Sequence, residues 1–338
     1  MTTDTGEKPA ASLFDRLISR RRRLRITVGI SLLLILAPIG VAYLDGVLDD
    51  FLSQGYWRLL LLPPAVITYI LVVWPIMARM EAGVIEAFRS LVLMDDDSFD
   101  RLVNEASRIN PIGEVIAFGV GAAFGLCDGR TWLPDDNVFW LKLYLPLSAS
   151  LMFGLLGWTI YAAVASTRLT AELHRQPLRV DIFDIKPFEP IGRQSLIAAL
   201  VFVGGTALSM VFGGLEQGSI FAWQDWLIYA LLALVTVLVF FLNMRDTHRV
   251  LAAEKKRELE AVQRNILLAC RTLMKRIAAN ENTGTLAAEI NVLIVYEERL
   301  RATRTWPYDT AMLRTLFFSI IIPGGLALAP FVFEMLSE

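Results

Sequence analysis

Seven stretches of this 338-residue chain are apolar enough to cross a bilayer, and the lysines and arginines between them fall almost entirely in alternate gaps. A bilayer core takes about 20 mostly apolar residues per helix. The stretches are Ile26–Leu44, Leu59–Met77, Ile112–Cys127, Phe139–Ala165, Ser195–Leu215, Trp226–Asn243 and Thr315–Phe333. Lipid offers no partners to backbone polar groups, so such runs are read as helices. A barrel would show alternating hydropathy instead. The expected fold class is all-α, a polytopic membrane protein with seven transmembrane helices.

The gaps set an orientation. Before the first stretch stand Lys8, Arg16, Arg20, Arg21, Arg22, Arg23 and Arg25. Arg79, Arg89, Arg101 and Arg108 follow the second, Arg168, Arg175, Arg179, Lys186 and Arg193 the fourth, and twelve basic residues from Arg245 to Arg304 the sixth. The other gaps hold almost none. The positive-inside rule puts the N-terminus inside and the C-terminus outside, as an odd number of crossings requires. The protein is expected to be integral to the plasma (inner) membrane. The layout is a basic cytoplasmic segment (1–25), a six-helix bundle with cytoplasmic loops (26–243), a cytoplasmic helical hairpin (244–310), and a seventh helix with a short outer tail (311–338). Arg20–Arg25 reads as a topology signal, with a specific anionic-lipid site as the alternative. No small-residue cleavage site follows it, so the first helix reads as a retained anchor.

Several chemistries find no residues to carry them. Cys127 and Cys270 fall on opposite sides of the membrane and cannot pair within the chain. Neither has a histidine or second cysteine at metal spacing. His174 and His248 lie outside the apolar stretches, where they cannot hold a bundle haem. The one lysine within these stretches, Lys142, lies at the outer edge of the fourth and not inside it, where a retinal Schiff base would need one. The spans carry almost no ionisable residue: Glu114 is near the inner start of the third and Arg314 just precedes the seventh. This counts against a pump, a proton-coupled carrier or a voltage sensor, but not against a pore closed by an apolar constriction. No phosphate loop, nucleophile motif or acid–base cluster is present, so neither an enzyme nor a cofactor is expected.

Packing signals are clearer. Gly113, Ala117, Gly121 and Gly125 recur every four residues, as do Gly205, Ser209 and Gly213. Such ladders let helix backbones approach within lipid, inside one subunit or between two. Pro38, Pro63, Pro64, Pro75, Pro146 and Pro323 are candidate kinks. After the sixth span the helix should run on as Arg245–Ala279 with a heptad-like, coiled-coil seam at Leu259, Val262, Ile266, Ala269, Leu273 and Ile277. Asn280–Gly284 breaks it. A second helix with Leu286, Ile290 and Leu293 in frame, interrupted at Glu297, completes an antiparallel hairpin. Asp95-Asp96-Asp97-Ser98 caps a helix over Phe99–Ile109. Arg175–Gly192, with three prolines, is an extended connector laid across the cytoplasmic helices.

Seven spans in this orientation, a long sixth helix, a cytoplasmic hairpin and a Pro323-Gly324-Gly325 bend in the last span together resemble the seven-transmembrane ion-channel superfamily of insect odorant and gustatory receptors. The resemblance implies an anchor at a tetramer axis and a split last helix. Leu286–Arg304 matches the cytoplasmic part and Thr315–Phe333 the pore part, with Trp306-Pro307-Tyr308-Asp309 as the break. The same run also resembles prokaryotic membrane proteins, a likeness that implies no activity. The expectation is an oligomeric, poorly selective ion channel. Thr315 and Ser319 would line its mouth, and Ile320, Ile321 and Ile322 its constriction. The alternative is a non-conducting scaffold or sensor whose hairpin binds a partner protein. Membrane lipids and further copies of the chain, up to a tetramer, are the expected partners, with no nucleic acid. A small-molecule ligand is left open.

Overall fold

A computed structural model of the chain describes residues 23–48, 57–108, 110–131, 138–213, 223–280, 282–306, 310–319 and 321. Among them the regular elements are helical: α1 (Arg23–Leu44), α2 (Trp57–Arg89), α3 (Asp96–Ala106), α4 (Pro111–Thr131), α5 (Phe139–His174), α6 (Glu189–Gly213), α7 (Trp223–Ala278) and α8 (Gly284–Ala302). Residues 310–319 are also helical. Six stretches are long and apolar enough to span a membrane. They fall on α1, α2, α4, α5, α6 and α7, the third running back through α3. Of the expected seventh span, residues 320 and 322–333 lie outside the described residues.

Three helices outrun their apolar stretches. At 1.5 Å per residue, the 33 residues of α2, 36 of α5 and 56 of α7 extend about 50, 54 and 84 Å, against a hydrocarbon core of about 30 Å. The expected ends at Met77 and Ala165 are passed because apolar side chains continue on one face, and α7 runs on to Ala278, next to the expected Ala279. Val84 and Phe88 of α2, Leu169 and Leu173 of α5, and Leu251 of α7 meet Phe99 of α3, Phe188 just before α6 and Ile191 in its first turn in one buried cluster. This cluster joins the bundle at the end that carries α3 and the hairpin. Pro38, Pro63, Pro64, Pro75 and Pro146 all sit inside helices.

The bundle is assembled pairwise. α4 lies on α5, α6 lies between α2 and α7, and α1 rests on α2 and α5. α1 is the least enclosed: Leu32, Leu33, Tyr43 and Leu44 are each more than 60% exposed. In water such a helix would be a liability; in lipid it is an ordinary outer face. At the end opposite the hairpin, Asp45 reaches across from the α1 turn and accepts from the backbone N–H groups of Trp140 (3.2 Å) and Leu141 (2.7 Å). It thereby caps α5, whose own N-cap residue, Val138, offers no side-chain bond.

The short elements follow local rules. Asp95 is the N-cap of α3 and accepts from the Ser98 N–H at 3.1 Å. Bonds from Ser98, its side chain foremost, hold the Asp95 carboxyl below the usual carboxylate range. Arg89 pairs with Asp96 at 3.2 Å and with Asp100, and lies over the Phe99 ring. The expected connector is tied down by an isolated bridge between Val92 and Leu178. It then enters a 3-10 turn, Lys186–Phe188. Asn280 stands just beyond the end of α7 at φ 56°, the left-handed conformation that ends many helices.

Candidate functional site

The small-residue ladder of α4 is spent within the chain. A Cβ at Gly113 would run into the Tyr161 hydroxyl, at Gly121 into the Phe153 carbonyl, and at Gly125 into the Ala149 carbonyl. In return, a Cβ at Gly157 would stand 2.6 Å from the Ala117 carbonyl oxygen. The pairs 113–161, 117–157, 121–153 and 125–149 trace one antiparallel contact between α4 and α5. Of the second ladder, Gly205 faces the Tyr69 ring of α2, which a Cβ there would meet at 3.6 Å. Ser209 bonds the Thr206 carbonyl, and Gly213 ends α6.

The hairpin residues divide by burial. Val262, Ile290 and Leu300 are buried; Ile266, Leu273, Leu286 and Leu293 are half-buried; Ile277 is 53% exposed. Its place so close to the end of α7 leaves Ile277 little of α8 to pack on. The seam is completed by a residue outside both helices: Ile182 of the connector packs with Val262 and Leu300. Glu297, which interrupts the apolar frame, accepts from Gln263 of α7 at 2.8 Å and from Arg301 at 2.6 Å. Those bonds, that of Gln263 first, lower its carboxyl below the ordinary value. Lys255 of α7 donates to the Arg301 and Thr303 carbonyls at 2.8 and 2.7 Å, satisfying the open end of α8. Beyond it, His248 stacks flat on Trp306 at 3.9 Å and bonds the Thr305 carbonyl.

The pore candidates lie on or beyond the helix 310–319. Leu316 is buried against Ala199, Phe240 and Met244, with Leu313 beside it. Thr315 is exposed and Ser319 half-buried, and their hydroxyls bond the carbonyls one turn back. Ile321 is 46% exposed. Ile320 and Ile322 lie outside the described residues.

Three features rest on contacts that the sequence does not reveal. Glu114, in the first turn of α4, is only 3% exposed and accepts from the Trp158 indole at 3.1 Å. Trp158 in turn packs on Trp74 of α2 with ring centroids 4.5 Å apart. His174 closes α5 onto α7, its Nδ1 on the Thr170 carbonyl at 2.6 Å and its Nε2 on the Thr247 hydroxyl at 2.8 Å. The third is a cavity of about 100 Å³ among α2, α4, α5, α6 and α7. Leu62, Val66, Ile70, Met152, Phe202 and Leu232 supply much of its apolar wall, and Tyr69, Asp128, Thr159, Thr206 and Ser209 its polar groups. Helical spacing cannot signal it, because its polar groups come from four different helices.

No family model matches the chain, and no curated protein or solved structure is similar to it.

Proposed function

We propose that this chain is the subunit of an oligomeric, poorly selective ion channel whose last helix lines the pore. The observation that carries the reading is the face of the helix 310–319 that holds Thr315. Among the described residues the Thr315 side chain is exposed, while Leu313 and Leu316 on the other side pack inward. A shared aqueous axis would use that exposed face. Ile322 follows Thr315 by seven residues and Ser319 by three, the spacing of one helix face. A ring of Ile322 side chains would close such a pore by dewetting. Ile322→Ser should therefore raise basal current in reconstituted bilayers more than Ile321→Ser does. If neither change nor Ile320→Ser passes current, in protein shown to be folded and oligomeric, the channel reading fails.

The channel reading includes seven spans, with the N-terminus inside and the C-terminus outside the plasma (inner) membrane, and the alternation of basic gaps supports it. A tag after Glu338 should accordingly be reached by impermeant reagents from outside, and one before Met1 should not. A protected C-terminal tag would make the number of crossings even.

A second reading has its own observation. Leu267, Leu268, Met274, Val292 and Val295 of the hairpin are all more than 50% exposed, far along α7 from its apolar stretch. Such a surface suits a bound protein, as in a non-conducting scaffold or sensor.

A further inference from the structure

Beside the line where α7 meets the helix 310–319 we infer a seat for an anionic phospholipid, an inference independent of any conduction. The two helices run antiparallel: His248 stacks on Trp306, while Met244 and Phe240, earlier in α7, pack against Leu316, later in the chain. Leu238, Phe241 and Arg245 share one face of α7, and Arg314, Phe317 and Ile321 share one face of the last helix, both sets at i, i+3, i+7 spacing. All six side chains are exposed. Phe241 and Arg245 each follow a contact residue, Phe240 or Met244, by one position. Arg314 and Phe317 follow Leu313 and Leu316 in the same way. One position is about 100° of turn. In two right-handed helices that run in opposite directions, that step leads to the same side of the pair. The two faces therefore open side by side, on packed axes about 8–10 Å apart. Thr315 and Ser319 lie at least about 100° further round, so the seat and the proposed pore wall are different faces.

Each face is basic at one end and apolar above it. Arg245 stands just past the sixth apolar stretch and Arg314 just before the seventh, so both lie at the hairpin end of the bundle, level with the edge of the hydrocarbon. Among the described residues neither forms an ion pair. Asp246, next to Arg245 in the chain, pairs instead with Arg249 at 3.7 Å. The occupant must therefore bring an anion for two guanidinium groups and long apolar chains for Leu238, Phe241, Phe317 and Ile321. A phosphodiester accepts from two arginines at once, and acyl chains cover the apolar residues above them. A choline headgroup would set its own cation beside both guanidinium groups. A soluble phosphate would leave the apolar part of the face bare.

The test is native mass spectrometry of the delipidated full chain in detergent, titrated with dioleoyl phosphatidylglycerol or dioleoyl phosphatidylcholine. Saturable binding of the glycerol lipid is expected, tighter than the choline lipid by about tenfold or more, the margin of two arginines at a membrane surface. Arg245→Gln and Arg314→Gln should each reduce that preference, and the double change should abolish it. Arg79→Gln, an exposed arginine just past the apolar stretch of α2, should leave it intact. Glycerol 3-phosphate, a headgroup without chains, should not displace the bound lipid. The inference is overturned if the two lipids bind alike or if the double change keeps the preference. It is overturned equally if Arg79→Gln lowers the preference as much as the other two, which would mean a diffuse basic belt, or if glycerol 3-phosphate displaces the lipid, which would mean a site for free phosphate. Should the doubly altered chain fail to give monodisperse protein, the two single changes against Arg79→Gln decide.

Discussion

Gly121→Ala is expected to cost about 3 kcal/mol, whereas Gly119→Ala, on the same helix two residues away, should be neutral or slightly stabilising. At Gly121 the new methyl would land on the carbonyl of Phe153 and within 3.2 Å of the Gly154 Cα. Both are backbone atoms of α5 and cannot swing aside as a side chain would. The two helices must separate, and the register pairs on either side, 117–157 and 125–149, lose contact together. Overpacking of a filled interface costs about 1–3 kcal/mol, and more where the obstacle is rigid. At Gly119 a Cβ meets nothing within 4 Å. There the alanine brings only its better helix propensity, worth up to about 1 kcal/mol in water-exposed helices. Thermal unfolding of the detergent-solubilised protein, read by size-exclusion chromatography, compares the two. Equal midpoints would mean that α4 and α5 do not approach this closely.

Val262→Asp should cost several kcal/mol, of the order expected when a charge is buried without a partner. Val262 is 7% exposed and packs with Ile182 and with Leu300, which is fully buried. A carboxylate at this point would meet apolar groups from the connector, α7 and α8 together. It would thus detach the hairpin from the loop that ties it to the bundle. Leu267→Asp is the informative comparison. Leu267 is 51% exposed on the same helix, so within a single copy the change should be nearly silent. A lowered unfolding temperature for Val262→Asp with no change for Leu267→Asp is the expected pair of results. A loss of assembly in Leu267→Asp alone would reveal that another polypeptide covers the exposed face of the hairpin. Indifference to Val262→Asp would place the seam in solvent.

Much of this architecture is legible locally. Asp95 was readable as a cap because an acidic side chain before a helical pattern has open N–H groups beside it. Asn280 was readable as a stop because asparagine tolerates positive φ. The hairpin followed from a heptad spacing and a breaker. The reading carried α7 to within a residue of its end and was less informative at the ends of α2 and α5. It treated the loss of apolar character as the end of a helix, whereas one face stayed apolar and had α3 and the start of α6 to pack on. Ile277 shared the spacing of Val262 yet is exposed, because spacing says which residues share a face and not whether a partner extends that far. Glu297 looked like a flaw in its seam; Gln263 across the hairpin turns it into a bonded position. Glu114 drew notice only as a rare ionisable residue. Its acceptor role depends on Trp158, which is 44 positions away.

The sequence by itself determined that this chain is helical and carries helices long and apolar enough to cross a membrane. Those properties follow from hydropathy summed over single segments and from the need of each backbone to satisfy itself within lipid. It also determined where close helix approach is permitted, since a run of glycines removes the Cβ atoms that would forbid it. Only the tertiary structure decided that the α4 ladder meets Ala149, Phe153, Gly157 and Tyr161 of α5. It alone decided that Ile182 completes the hairpin, and that four hydroxyls and Asp128 border one cavity. Those outcomes are set by contacts between residues distant in the chain, and in a bundle of uniformly apolar helices many pairings satisfy the same local pattern. Shape complementarity across the assembled helices selects among them.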